Sequence, residues 1–298
     1  MTALEDSATQ LATDLGLELA SPLPARSNQA WRARSRGDEL VLRCHHDLLE
    51  IGGTQLGRGL SWQAEVRELA NAAGWPTPRP RRAPFRHAGR WWTLEEFLPG
   101  RSRRTSAAER ARLLADWHAT TFPRERLGPC PGAPDRLAIL TAADAAEVLG
   151  RCADPEDRRW LLRRLEQAAA RAEDIDWSAS RTVVVHGDLT DWNLLWTGDR
   201  LTGLLDLELA TVDRRVADLV LTWRCRHDDL LMALDRIDPL TADEWRMLLV
   251  DWWAQLLTLA AFHLRRGRQP DRWELDGLRR ESPLSRLLVR GERPGHAG

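Results

Sequence analysis

The chain contains no lysine and no tyrosine. All 43 of its basic residues are therefore arginine, and any role that other proteins give to lysine falls here to a guanidinium or to nothing. An excess of one charge is missing too, since 43 basic residues meet 44 acidic ones. That balance creates no overall field for nucleic acid or an anionic membrane. No apolar run approaches the roughly 18–20 residues of a membrane helix, and the start Met-Thr-Ala-Leu-Glu-Asp has neither a basic region nor an apolar core. We therefore expect a cytoplasmic protein with no nucleic-acid and no membrane partner. Cys44, Cys130, Cys152 and Cys225 lie far apart and never form Cys-x-x-Cys, which points to reduced thiols rather than disulfides or zinc. Gly-x-x-x-x-Gly-Lys-Ser/Thr is absent as well, which excludes a P-loop.

What is present is tryptophan, 15 residues of it, together with abundant Ala, Leu and Arg. This bias is that of a GC-rich bacterial genome. At 298 residues the chain is long enough for one large domain or two closely packed ones. Residues 4–15 read as a helix, and 28–33 and 39–44 as strands around the Arg36-Gly37-Asp38 turn. Residues 61–73 read as a helix stopped by Gly74 and a Pro-rich link, and 90–97 as a strand running into Leu98-Pro99-Gly100. Beyond that break the pattern turns helical. Ser106-x-x-Glu109 and Thr241-x-x-Glu244 are capping boxes, Asp154-Pro155 opens a third helix, and 283–289 reads as a last one.

The chemistry lies in residues 183–208. An apolar run, Val183 to Val185, delivers His186-Gly187-Asp188, and Asn193 follows five residues after Asp188. A second apolar pair, Leu204-Leu205, presents Asp206. Phosphoryl transfer from a metal-bound nucleotide needs such a set. One carboxylate orients the attacking hydroxyl, while an Asn and a second carboxylate hold Mg²⁺ against the phosphates.

His-Gly-Asp-x-x-x-x-Asn followed by apolar-Asp-x-Glu resembles the aminoglycoside phosphotransferase and choline kinase branch of the protein-kinase-like fold. The resemblance implies an α+β, bilobal architecture. Residues 1–97 would form a small, mostly-β nucleotide-binding lobe, and 98–298 a larger, mostly helical lobe for catalysis and substrate. It implies an ATP- and Mg²⁺-dependent kinase acting on a hydroxyl group, with Asp188 as catalytic base and Asn193 and Asp206 as metal ligands. His186 would support the loop, Asp218 would bond it from the start of a helix, and Glu208 would support the metal or a substrate. Arg43 sits where kinases place the phosphate-gripping Lys, and Glu65 on the following helix sits where its ion-pair partner lies. A guanidinium holds phosphate oxygens bidentately but is longer and planar. Ser27 and Asn28 would lie over the phosphates, and Glu96 and Leu98 would offer hinge backbone groups to adenine.

Substrate selection would fall to the second lobe, where Trp223, Arg224, Asp228, Asp229, Trp252 and Trp253 are candidates. Acidic residues beside Trp would suit a cationic amine, although Trp at helical spacing is ordinarily core. His118 reads as packed, and His45-His46 as surface. The acceptor is then a small molecule, cationic in one version, in antibiotic resistance or natural-product biosynthesis. Two alternatives stand beside it: a kinase acting on a precursor peptide, and a nucleotide-binding pseudokinase working through a partner protein.

Overall fold

A computed structural model describes residues 3–24, 28–45, 54–292 and 294. The chain divides into two compact units, each discontinuous in sequence. The first comprises residues 1–104, 120–133 and 191–210; the second comprises 105–119, 134–190 and 211–298. The mixed α+β class expected from the sequence is what is found.

In the first unit, helix α1 (Ala3–Asp14) precedes strands β1 (Glu18–Leu23), β2 (Gln29–Ser35) and β3 (Asp38–His45). Helix α2 (Thr54–Ala72) and strands β4 (Phe85–His87) and β5 (Arg90–Glu96) follow. The five strands form one antiparallel sheet in the order β1-β2-β3-β5-β4. Arg36 and Gly37, both at positive φ, make the two-residue turn between β2 and β3. Strand β1 has no counterpart in the sequence reading, since Pro22 disguises it; a proline is tolerated there because β1 is an edge strand.

The alternation of β3 fixes what each sheet face does. Leu40, Leu42 and Cys44 face α1 and join Leu4, Ala8, Leu11, Trp31, Trp92 and Leu94 in a buried cluster. Val41, Arg43 and His45 therefore point to the opposite face. There the register sets Arg43 opposite Thr93 and Val41 opposite Glu95. Helix α2 lies against β5, and Gly57 permits it: a Cβ at that position would fall 2.3 Å from the Trp91 ring. The short helix α4 (Arg124–Leu127) ends beside α2, where Trp62 Nε1 donates to the Leu127 carbonyl at 3.1 Å. The hairpin of β7 (Leu194–Thr197) and β8 (Arg200–Leu204) completes the unit.

The second unit is mainly helical: α3 (Ala107–Ala119), α5 (Ala138–Thr141), α6 (Ala145–Leu149), α7 (Pro155–Ala172), α8 (Val216–Trp223), α9 (Asp228–Ile237), α10 (Ala242–Arg265), α11 (Arg272–Arg279) and α12 (Pro283–Val289). Its two strands, β6 (Thr182–Val185) and β9 (Thr211–Arg214), pair antiparallel. Helix α10 starts at the expected capping box, Thr241 with Glu244. It is long and apolar enough to cross a membrane by length and composition, yet it is largely buried among its neighbours as the core helix of this unit. Every residue of helix α8 is buried, and the helix start expected at Asp218 is found there. All four cysteines are buried, and none forms a disulfide. Burial pushes the Cys130 thiol up to about 12, far from thiolate chemistry.

Candidate active site

The loop after β6 is built on a buried carboxylate. Val183 to Val185 are buried and end at His186, which has no exposed surface. Gly187 then turns the chain at φ +84°, a left-handed conformation that glycine adopts without steric cost. The His186 and Gly187 N–H groups donate to Asp218 Oδ2 and Oδ1 at 2.9 and 2.7 Å, and His118 Nε2 lies 3.0 Å from Oδ2. Burial alone would raise the Asp218 pKa, but the bond from His118 and the N–H groups outweigh it and hold the carboxyl below its ordinary value. Asp218 is in the first turn of α8, the structural tie expected of it. The His186 ring accepts the Asp188 N–H through Nδ1 at 3.3 Å and meets Trp117 edge-on at 6.0 Å. Trp117 in turn donates to the Val184 carbonyl at 2.7 Å, so His118 and Trp117 are both parts of the loop's support.

Asp188 is carried at the end of this scaffold, 18 % exposed, with Oδ1 2.9 Å from Arg224 Nη2. Arg224 occupies the left-handed position that ends α8, at φ +53°, and its Nε donates to the Leu221 carbonyl at 2.6 Å. The guanidinium is thus fixed at one edge while the other grips Asp188. Sequence reasoning placed Arg224 only loosely, because nothing local signals that a helix end will aim it at the loop.

The metal-ligand candidates belong to the first unit. Asn193 is buried, and its carbonyl accepts the Leu205 N–H at 2.8 Å across the base of the β7–β8 hairpin. Asp206 follows the hairpin at φ +61°, uncommon for a residue with a Cβ. Its Oδ1 is buried and has no hydrogen-bond partner among the described residues. A buried carboxylate oxygen without a donor is costly unless a cation completes it, so Asp206 and Asn193 suit a hard divalent ion that takes oxygen ligands.

Glu208, two residues on, accepts a hydrogen bond from Asn28 Nδ2 and lies 3.5 Å from Arg43 Nη1. Burial and then the Asp206 charge push its carboxyl up to about 7, against the pull of Arg43. Arg43 reaches in the other direction to Glu95 at 3.4 Å, and Arg67 of α2 meets the second Glu95 oxygen at 3.7 Å. Burial would weaken the Arg43 charge, but Glu95, Glu208 and Asp206 hold it on. Arg43, Asn28, Asp206 and Glu208 are therefore one cluster.

Two expectations are corrected. Glu65 does not meet Arg43; it points outward to Arg126 at 2.8 Å, and the partner is Glu95, delivered by strand register from β5. The sequence reading looked along a helix for an acid that the sheet supplies. His45 is buried rather than at the surface, 2.9 Å from Thr93 Oγ1; Ser27 and His46 lie outside the described residues. At the hinge, the Glu96 N–H donates to the Arg79 carbonyl, so it has no donor to spare for a base. The Leu98 backbone has no hydrogen-bond partner among the described residues. Trp223, Trp252 and Trp253 are buried core, not a substrate surface. Asp213 ties β9 to Arg136 at 2.9 Å.

The sequence pattern of the family described as "Phosphotransferase enzyme family" matches residues 20–246. No curated protein matches the chain by sequence. Among solved structures, a thermostable mutant of aminoglycoside phosphotransferase APH(4)-Ia in a ternary complex with ADP and hygromycin B is similar over 97% of this chain and 98% of that one, with TM-score 0.67 and 16% identity. The GDP complex of aminoglycoside 2'-phosphotransferase-IIIa is similar over 97% and 99%, with TM-score 0.66 and 15% identity. At that identity the likeness is one of fold.

Proposed function

This chain belongs to the phosphotransferase enzyme family, and from that membership we propose that it transfers the terminal phosphoryl group of Mg²⁺-bound ATP to a hydroxyl group of a small molecule. Asp188 accepts a hydrogen bond from the acceptor hydroxyl, aims its oxygen at phosphorus, and takes its proton late, as a loose transition state requires. The new P–O bond forms as the bond to the leaving ADP oxygen breaks, so the only group moved from substrate to protein is that proton. Asn193 and Asp206 hold Mg²⁺, which when bound neutralises charge on the phosphate oxygens. Arg43 grips phosphate oxygens, with Glu95 and Arg67 orienting it, and Asn28 stands over them. The Leu98 N–H and the Glu96 carbonyl supply the hinge contacts to the base. Division of labour at residue 97, a cytoplasmic location and a small-molecule acceptor are parts of the same reading.

One observation carries it: the buried Asp206 oxygen with no hydrogen-bond partner among the described residues, on a left-handed backbone, beside an arginine held by three carboxylates. Complexes of similar folds with ADP and GDP support a nucleotide there. The test is a thermal-shift titration with ATP, with and without Mg²⁺, on wild type and Asp206→Asn. A ligand that binds only the folded state raises the melting temperature with concentration. The reading expects a Mg²⁺-dependent rise that Asp206→Asn removes; a rise indifferent to Mg²⁺ in both proteins would defeat the metal assignment.

A further inference from the structure

Asp188 lies beside a group of arginines in the second unit. Arg224 pairs with Asp188 directly. Arg280 Nη1 donates to the Arg224 carbonyl at 3.2 Å, and Arg226 Nε lies 3.1 Å from His227 Nε2. The Arg226 charge is opposed by burial and then by Arg224, Arg280 and Arg110, which places three further guanidiniums within electrostatic reach of Arg226. Burial, then Arg110 and Arg226, lower the His227 pKa below its ordinary value, against the weaker pull of Asp229. Arg110, Arg226 and Arg280 have no ion-pair partner among the described residues.

A polycationic acceptor would need carboxylates here, and they are spent. Asp228 accepts the Trp223 Nε1–H at 2.7 Å and the Leu284 N–H at 2.9 Å, one on each oxygen. Asp188 is engaged by Arg224, and Asp229 is exposed to solvent. Like charges brought beside these arginines would be repelled, whereas an anion would relieve their mutual repulsion.

We infer that the acceptor is an anion, a hydroxyl compound carrying a carboxylate or phosphate group, received by Arg226 and Arg280 while Arg224 holds Asp188. This rests on the reading of Asp188 as the group that orients the hydroxyl, and it narrows the acceptor to a class opposite in charge to an amino-sugar. Arg224 becomes a positioning residue for Asp188, and the unpaired guanidiniums become the specificity element.

The test uses the full chain saturated with Mg²⁺–ADP at constant ionic strength, with three probes titrated by thermal shift: citrate, glucose 6-phosphate and hygromycin B. Citrate and the sugar phosphate separate a carboxylate acceptor from a phosphorylated one. At least one anion is expected to stabilise the protein, with apparent affinity weakened about tenfold or more in Arg226→Glu and in Arg280→Glu. The surface reversal Arg159→Glu, on α7, is expected to leave it unchanged, which separates a local site from overall charge. Stabilisation by hygromycin B alone, by no probe, or by an anion equally in all variants would overturn the inference. Failure of Mg²⁺–ADP itself to shift the melting temperature would instead count against the phosphotransferase reading, so the two failures are distinguishable.

Discussion

Asp218→Asn should loosen the catalytic loop more than any change at the loop itself. Three donors converge on this carboxylate at 2.7, 2.9 and 3.0 Å, and the side chain has no solvent exposure. Asparagine keeps the shape and one acceptor oxygen, but its amide turns an N–H toward the Gly187 N–H. One buried donor is then left unmade, at roughly 2 kcal/mol, and two charge-assisted bonds fall to neutral ones at about 0.75 kcal/mol each, a loss of about 3–4 kcal/mol. At about 2 °C or more per kcal/mol for a chain of this size, the melting temperature should fall on the order of 8 °C. Because the folded-state carboxyl titrates below its ordinary value, its contribution is fully present above the unfolded value near pH 4 and is lost as pH falls through the folded one. The difference between wild type and variant should therefore be constant between about pH 6 and 8 and close below about pH 4. Circular-dichroism melts across that range measure it. A fall of under about 2 °C with full turnover would refute the idea that Asp218 anchors His186 and Gly187.

Four further predictions follow from the first unit. Glu208→Gln should gain stability relative to wild type as pH rises from about 5 to 8, by at most about 3 kcal/mol, because a carboxyl raised to about 7 makes the folded state bind the extra proton and lose stability as that proton leaves; melts in metal-free buffer test it. Glu65→Ala should shift stability by under about 1 kcal/mol and leave nucleotide affinity alone, since its partner Arg126 is exposed. Glu95→Gln, in contrast, should weaken nucleotide binding by about tenfold or more as Arg43 and Arg67 lose their common carboxylate, read by calorimetric titration with Mg²⁺–ATP. Gly57→Ala should destabilise by about 1–3 kcal/mol, because the added methyl falls on the Trp91 ring; denaturant melts measure it.

The sequence made the architecture of the loop legible because it is local. His186, Gly187, Asp188, Asn193 and Asp206 lie within about two dozen residues, and the apolar runs on either side mark the strands that fix them. Capping boxes at Ser106 and Thr241 marked helix starts for the same reason, as their bonds span three residues. What was lost is what depends on register or on a helix's neighbours. Glu95 replaces Glu65 because β3 and β5 pair with Val41 opposite Glu95, a fact that no single strand carries. Arg224 reaches Asp188 because α8 ends in a left-handed residue, which the local sequence does not signal. Proline hid β1, whereas helical spacing pointed Trp223 and Trp252 to the core, where they are found.

The most direct test of the central claim is ATP turnover, with water or any acceptor, by wild type and Asp188→Asn alongside Mg²⁺–ATP affinity for both. The account predicts that Asp188→Asn loses transfer by at least about a hundredfold while its affinity for Mg²⁺–ATP stays within about threefold. Full turnover by the variant would contradict it, because the proton of the attacking hydroxyl would then have another destination.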